Sequence, residues 1–451
     1  MYGRRRRWMD RVSEQELVSK CGGQALFHRE SRFSDSPCRL LPMSAIAALR
    51  QHISHTAQDW FESPGGGTRL LPMEGLRGLA VLLVFFVHAH VLFGPYIASY
   101  PHLFGVSEYF GRVGNVGVDL FFVLSGFIIY GALVRQPVNY FSFLGRRAKR
   151  VYPTFLVVLS GYLMLSMVFP FESRIPERTW EAAKYILENV LLLPGFFRIA
   201  PIVTVAWSLS FEFAFYLSVP FAVFLLGRER EDSFRRITLL IGMGTMFTTS
   251  EAFLFHGSHI RMLSFISGML LQEITASGKI RAYLTRRGQW ISIIALALTA
   301  SCHFAVPPRD LGARASGILS AVLMSVATVF FVLYSLEYRG ALHRACTWRP
   351  IRYWGNISYS YYLVHGVTLK GMAVLLARLQ PEQPPVFIYF AALVVGVAVT
   401  WVSASALYLL VEKPMSLSSK KQGTSLGAAG LTSCPWWLRR SRAAAQTSGN
   451  P

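Results

Sequence analysis

Long apolar stretches separated by short polar segments dominate the chain between residues 69 and 415. A helix needs roughly 17–25 mostly apolar residues to cross the hydrocarbon core of a bilayer. By that measure the pattern predicts ten spans, at about 75–93, 116–134, 151–170, 205–226, 237–255, 260–276, 290–306, 316–336, 357–377 and 386–411. Spans one and six are the weakest, because charged and polar side chains interrupt them. Segment 185–197 is apolar but too short to span, which is typical of an interfacial or re-entrant element.

Composition and loop charge support a membrane protein. Hydrophobic residues make up 53% of the 451 residues and charged residues 15%, whereas about a quarter of the residues in a soluble protein are charged. If the N-terminus lies in the cytoplasm, the loops after spans two, four, six and eight carry 17 Lys and Arg residues, and the other loops carry 9. Basic residues concentrate in cytoplasmic loops, so the net charge of +21 requires no nucleic acid. The sequence predicts an all-α, polytopic membrane bundle of about ten transmembrane helices with both termini in the cytoplasm.

The two ends of the chain differ from the apolar middle. Residues 1–68 are polar and irregular, and we expect either a disordered arm or a wrongly assigned start, because Met43 or Met73 could begin the chain. Residues 416–451 are rich in Ser, Gly and Ala with five basic and no acidic residues, which is typical of a disordered basic tail. The transmembrane domain is therefore predicted at 69–415. Five scattered cysteines predict neither a disulfide framework nor a zinc site.

Two ionisable residues lie in the first span. Arg77 and His88 are eleven residues apart, which on a helix is three turns plus about 20°, so both lie on one face, roughly 16 Å apart. A guanidinium that grips an anion and an imidazole that accepts a proton suit a long ligand with a charged head and a reactive tip. The alternative is a snorkelling Arg and a hydrogen-bonded core His, and the pair alone does not separate the two. His90 faces elsewhere, and we expect it to be structural.

The second span and the segment before the third add further candidates. Asp119 would orient a catalytic group or hold a cation, or simply stabilise a helix start. Ser125 precedes Gly126, a pairing more typical of close helix packing than of a nucleophile. The cluster Arg146, Arg147 and Arg150 would bind the phosphates of a cytosolic cofactor, although topology determination explains it equally simply.

Two later spans each carry one polar stripe. Ser208, Glu212 and Tyr216 are spaced four residues apart and share a helix face. A buried carboxylate is costly at membrane depth, so we favour a functional Glu212 over a simple interhelical hydrogen bond. Tyr362 and His365 share a face in span nine, where they would line a vestibule or belong to an interfacial aromatic belt.

Taken in this order, these segments resemble the acyltransferase-3 family, the integral-membrane O-acyltransferases typified by bacterial polysaccharide O-acetyltransferases. The resemblance covers about residues 70–415. It rests on Arg77 and His88, Gly117-Val118-Asp119 through Ser125-Gly126-Phe127, Arg147 through Pro153, Trp207-Ser208-Leu209 with Glu212, Ser358-Tyr359 through His365, and Glu412-Lys413-Pro414.

The resemblance implies transfer of an acyl group, usually acetyl, from cytosolic acyl-CoA to a hydroxyl of a carbohydrate, a lipid-linked glycan or another cell-envelope acceptor. It implies a bacterial inner-membrane protein that needs no metal, and His88 and Arg77 match the essential pair of the family. Our hypothesis is that His88 acts as general base or is transiently acylated, that Glu212 orients His88 or the acceptor, and that Arg77 and the 146–150 cluster hold the donor. Some members carry a C-terminal SGNH hydrolase-like domain, and here any such partner is expected to be a separate periplasmic protein.

Two other functions compete with the enzyme. A transporter or flippase would use His88, Asp119 and Glu212 as a proton relay and would show inverted repeats, and the sequence shows no such symmetry. A membrane sensor without catalysis would tolerate replacement of Arg77 and His88.

Overall fold

The computed structural model describes residues 58–62, 71–136, 138–227, 233–254, 258–305, 311–379 and 386–417, all within one compact unit, Thr56–Pro451. The first half of the chain forms α1 Leu71–Phe93, α2 Pro101–Val113, α3 Val116–Arg135, α4 Tyr140–Val168, α5 Thr179–Val190, α6 Ala206–Leu226 and α7 Ser233–Leu254. The second half forms α8 Leu263–Ala276, α9 Arg286–Ala305, α10 Leu311–Glu337, α11 Ala341–Thr347, α12 Arg349–Asn356, α13 Ser358–Leu379, α14 Val386–Leu407 and a π-helix, Tyr408–Leu417. Short 3-10 turns lie at Gly94–Ile97, Pro170–Glu172, Ser258–Met262 and Lys279–Tyr283.

An all-helical membrane protein is therefore confirmed, since every regular element of the described residues is helical. Each of the ten predicted spans coincides with a helix. Six segments of the described residues are long and apolar enough to cross a membrane, at Leu71–Ile97, Pro101–Arg135, Tyr140–Val168, Ala206–Leu226, Ser316–Glu337 and Val386–Ser416. The count of ten and the sides on which the termini lie stay predictions.

Helix α1 lies at the centre of the bundle. It packs against α2, α3, α11, α12 and α13, and Leu76, Ala80 and Phe85 on it are completely buried. A glycine permits the closest of these contacts: a Cβ at Gly355 of α12 would lie 1.7 Å from the carbonyl oxygen of Glu74. The helix that carries Arg77 and His88 is thus held by neighbours on several sides.

Helices α3 and α8 interlock through a reciprocal pair of glycines. A Cβ at Gly126 would lie 2.2 Å from the carbonyl oxygen of Phe265, and one at Gly268 would lie 2.1 Å from that of Val123. Small residues let two membrane helices approach at backbone distance, where van der Waals packing is strongest. This agrees with the interpretation of Ser125-Gly126 as a packing motif on its glycine side.

Helix α8 explains why the sixth predicted span is weak. Its 14 residues extend only about 21 Å, less than the roughly 30 Å of hydrocarbon. Its buried Glu273 forms a bidentate ion pair with Arg236 of α7 and accepts a hydrogen bond from the Tyr130 hydroxyl at 2.7 Å. The polar residues that interrupt this span therefore pair inside the bundle.

The ends of the transmembrane domain lie close to each other. Residues 58–62, within the predicted N-terminal arm, include a buried Phe61 that packs against Tyr353, Trp401 and Tyr408. Lys413 of the π-helix donates to the carbonyl oxygens of Asp59 and Trp60 at 2.8 Å. The rest of the predicted arm up to residue 70, and the predicted tail beyond residue 417, lie outside the described residues.

The segment around 185–197 is only partly helical. After α5 the chain turns through Leu192, a buried residue in the left-handed region with φ of 56°, and returns without regular structure to α6. Buried Asn189 holds this return by accepting from the Ile202 N–H at 2.8 Å. The outer turns of α5 expose Trp180 and Leu187.

A substitution at Gly126 tests the α3–α8 contact. Gly126→Ala places a methyl group against backbone, and overpacking of this kind costs about 1–3 kcal/mol. We expect the apparent melting temperature of the detergent-purified protein to fall by a few degrees. The matched control is Gly161→Ala in α4, where a Cβ meets nothing within 4 Å and the melting temperature should not change. Equal melting temperatures for both variants would contradict the packing described here.

Candidate functional site

A cavity of about 450 Å³ lies between α1, α3, α4, α6 and α13. We call it the central cavity. Its polar and charged lining consists of Arg77, Ser125, Arg147, Arg150, Ser208, Glu212, Tyr216, Ser358, Tyr359 and Tyr362. All of these except Tyr359 are predicted from the sequence, Ser358 because it shares the helix face of Tyr362 and His365. The structure therefore brings together residues from five helices that the sequence could nominate only one helix at a time.

Three arginines form one wall of the central cavity. Arg147 is partly buried and its guanidinium lies over the rings of Phe143, at 5.4 Å, and Tyr216, at 5.6 Å. Arg77 lies in the electrostatic field of Arg150 and of two acids, Glu412 and Glu212. Arg146, by contrast, is exposed and does not line the cavity. At about 100° per residue, Arg147 and Arg150 lie about 60° apart around α4, and Arg146 lies about 40° beyond Arg150 on the side away from Arg147.

A stripe on α6 forms another part of the cavity lining. The Glu212 carboxylate accepts a hydrogen bond from the Ser125 hydroxyl at 3.2 Å and one from the Tyr216 hydroxyl. One turn away, the hydroxyls of Ser208 and Tyr362 lie 2.7 Å apart. The predicted stripe of Ser208, Glu212 and Tyr216 thus faces the cavity along its length, and Arg147 lies over the Tyr216 ring at its end.

His88 and His365 lie beyond Tyr362 rather than on the cavity wall. The ring of Tyr362 is 5.7 Å from that of His365, and the His365 ring meets the edge of the His88 ring at 4.8 Å between centroids. Arg77 and His88 share α1 as predicted, but only Arg77 lines the central cavity. Tyr362, which lines the cavity, is thus linked to His88 through the ring of His365.

Asp119 is part of a separate polar contact. Its buried carboxylate accepts from the Ser264 hydroxyl at 3.2 Å and lies 3.6 Å from the Arg261 guanidinium, which in turn lies over the Trp207 ring. Asp119, Glu212 and His88 therefore have different partners. Among the described side chains, no direct hydrogen bond joins any two of these three residues.

Sequence reasoning missed Glu412 as a site residue. This carboxylate is completely buried in the π-helix, an element often found at functional sites. One oxygen accepts from the backbone N–H and the hydroxyl of Ser360, at 3.2 and 2.6 Å, and the other lies 3.4 Å from the Arg150 guanidinium. The available signal was an acid directly after the last apolar stretch. The Glu412 carboxylate does not line the cavity itself, but its ion pair holds the Arg150 side chain that does.

The chemistry of the cavity favours an anionic ligand. Arginines bind phosphate oxygens in bidentate geometry, and the buried Ser358 hydroxyl on the same lining has no hydrogen-bond partner among the described residues. Among the residues that the structure describes, no three His, Cys, Asp or Glu side chains are grouped so that they could hold a metal ion. The site combines cations for an anionic group with a carboxylate and, past Tyr362, two imidazoles.

Comparison with known proteins gives a family match over most of the chain. The profile of a family described as an acyltransferase domain (Acyl_transf_3) matches residues 72–405. This range contains all of the predicted site residues and ends before Glu412. No solved structure matches the chain.

The curated relatives are bacterial proteins. The O-acetyltransferase OatA of Staphylococcus aureus is 25% identical over 376 residues, which cover 77% of this chain and 57% of the relative. The peptidoglycan O-acetyltransferase OatA of Listeria monocytogenes is 23% identical, covering 76% and 55%. The exopolysaccharide production protein ExoZ of Rhizobium meliloti is 24% identical, covering 73% and 98%. The chain thus spans little more than half the length of the two OatA proteins, and nearly all of ExoZ.

Proposed function

This chain belongs to the acyltransferase-3 family, and we propose on that basis that it is a membrane-bound O-acyltransferase. It moves an acyl group, acetyl in the usual case, from acyl-CoA to a hydroxyl of a carbohydrate or other cell-envelope acceptor. The observation that carries this proposal is the central cavity, in which Arg77, Arg147 and Arg150 face Glu212 and from which Tyr362 and His365 lead to His88.

The proposed membrane arrangement has ten spans with both termini in the cytoplasm of a bacterium, in its inner membrane. The six long apolar segments support part of it. Helices α7, α9 and α13 have 22, 20 and 22 residues, about 30 Å each, and are long enough for three of the remaining spans. The fourth would be α8 together with the 3-10 turn before it, Ser258–Met262. In this arrangement the arginine wall opens to the cytosol, where the donor is.

The donor is acyl-CoA, whose phosphates would lie among Arg77, Arg147 and Arg150. A cavity of about 450 Å³ is within the roughly 300–1,000 Å³ of ligand pockets, and its charge matches an anion. The thioester end of the donor extends past Tyr362 toward His88. The donor is thus held from the cytosolic side, while its reactive carbonyl meets an acceptor that comes from the other side of the membrane.

Transfer is by general base catalysis at His88. The neutral imidazole takes the proton of the acceptor hydroxyl as that oxygen attacks the thioester carbonyl. The carbon–sulfur bond then breaks, and His88 returns the proton to the leaving thiolate, so that an ester and free CoA thiol are the products. Glu212 orients groups at the cavity through Ser125 and Tyr216 and takes no proton in this scheme.

The acceptor is proposed to be a glycan hydroxyl in the cell envelope. The names of the relatives point to this class: the Listeria protein is named for peptidoglycan and the Rhizobium protein for exopolysaccharide. An envelope glycan, free or lipid-linked, would reach His88 from the side opposite the arginines. A separate periplasmic protein would serve as partner if the acyl group has to be carried further.

Replacement of His88 tests the catalytic part of the proposal. In membranes supplied with radiolabelled acetyl-CoA, His88→Ala should lower incorporation of label into glycan by about a hundredfold or more, the range of a lost general base. Binding of acetyl-CoA to the purified variant should not change, because His88 lies outside the donor cavity. Transfer at the wild-type rate would remove His88 from the mechanism.

A pair of neighbouring arginines tests the donor site. Arg147→Ala should raise the KM for acetyl-CoA about tenfold to a hundredfold, since one charge-assisted hydrogen bond contributes roughly 1.5–3 kcal/mol. Arg146→Ala removes the same charge from the same helix, but its side chain is exposed and off the cavity, so its KM should stay within about twofold of wild type. If both variants gave the same KM, the arginines would act through net charge, and the proposed donor site would be wrong.

A further inference from the structure

His365 carries an unpartnered nitrogen in the interior of the bundle. Its side chain is completely buried, and its Nδ1 lies 3.2 Å from the carbonyl oxygen of Tyr361. A carbonyl oxygen can only accept, so Nδ1 carries the proton of the neutral ring and Nε2 is left as an acceptor. Nε2 has no hydrogen-bond partner among the described residues. A buried acceptor without a donor is rare and calls for an explanation.

Of the rings that contact His365 among the described residues, that of His88 is the nearest. Three rings surround His365: Tyr361 stacks at 6.3 Å, Tyr362 lies at 5.7 Å and His88 at 4.8 Å between centroids. The Tyr362 hydroxyl is engaged with Ser208. His88 meets His365 edge to face, and its side chain is partly buried. Catalytic hydrogen bonds are often long in the absence of substrate and shorten in the reactive complex.

We propose that His365 is the positioning residue for His88: its Nε2 accepts the N–H of the His88 ring and thereby presents the other His88 nitrogen, unprotonated, to the acceptor hydroxyl. This inference rests on the proposed function, in which His88 is the general base. It gives that base the third group that orients catalytic imidazoles in other enzymes. The backbone carbonyl of Tyr361 anchors the arrangement, because it fixes which nitrogen of His365 is protonated.

The arrangement also accounts for the proton during transfer. When His88 takes the proton of the acceptor hydroxyl, it becomes an imidazolium with two N–H groups. One N–H remains bonded to His365 Nε2, and the other delivers its proton to the departing thiolate. His365 neither gains nor loses a proton, so it acts on rate through the geometry and charge of His88 rather than by contact with the substrate.

Two variants separate this role from a structural one. The side-chain amide of His365→Asn can replace the Nδ1 donor toward Tyr361 but has no atom at the Nε2 position. The longer amide of His365→Gln can place an acceptor near the Nε2 position and loses the bond to Tyr361. A positioning role predicts that Gln supports more activity than Asn, whereas a purely structural role predicts the reverse.

The experiment measures transfer of label from acetyl-CoA to glycan in inside-out membrane vesicles that contain the full chain. His365→Asn should lower kcat by about tenfold to a hundredfold, the usual effect of losing a supporting hydrogen bond, and leave the KM for acetyl-CoA within twofold. His365→Gln should recover a substantial part of that loss. In a His88→Ala background, His365→Asn should cause no further loss, because residues that act as one unit are not additive.

Each result decides between the alternatives. If wild-type vesicles transfer no label, the proposed function itself fails. If wild-type vesicles do transfer label, any one of three results overturns the positioning role and leaves the proposed function standing. The His365→Asn variant keeps its kcat within threefold of wild type, or the His365→Gln variant is no more active than His365→Asn. The third such result is that His365→Asn further lowers the residual activity of His88→Ala. Binding of acetyl-CoA to each purified variant shows that the variant is folded. If the His365→Asn variant does not bind acetyl-CoA, the His365→Gln variant is the test. A kcat above one hundredth of wild type then supports the positioning role, and a lower kcat overturns it.

Discussion

Charged side chains within an apolar bundle have to be compensated there, because neither lipid nor packed hydrocarbon solvates them. Arg77, Arg147 and Arg150 have Glu212 and Glu412 as neighbours. These acids come from α6 and from the π-helix at the end of the domain. The need to compensate the arginines therefore ties distant parts of the chain to one cavity. Because these arginines need negative charge near them, the arginine wall is also suited to bind an anionic ligand.

The chemical type of the polar side chains changes from the arginine wall toward the interior of the bundle. The guanidinium groups come first, then the carboxylate of Glu212, then the hydroxyl pair of Ser208 and Tyr362, and finally the rings of His365 and His88. Such an order suits a reaction that holds a charged donor at one end and exposes its reactive group at the other. Asp119 lies outside this order, in an ion pair with Arg261.

Helical periodicity predicts which residues share a face, and this explains what the sequence could predict. The stripe of Ser208, Glu212 and Tyr216 lines the cavity, as do Arg77 and Ser125. Periodicity does not reveal which face meets which neighbour. Arg146 therefore could not be separated from Arg147, nor could Tyr362 be expected between Arg77 and His88. Glu412 and Arg150 are far apart in sequence, and only the packing of the π-helix against α4 brings them together.

The central claim is that one donor extends from the arginine wall past Tyr362 to His88. The most direct test is a structure of the full chain in lipid nanodiscs with a thioether analogue of acetyl-CoA, which cannot transfer its acetyl group. We expect phosphates bound among Arg77, Arg147 and Arg150 and the acetyl end within hydrogen-bonding reach of His88. An analogue whose acetyl end stays on the arginine side of Tyr362, or one bound away from the cavity, would contradict it.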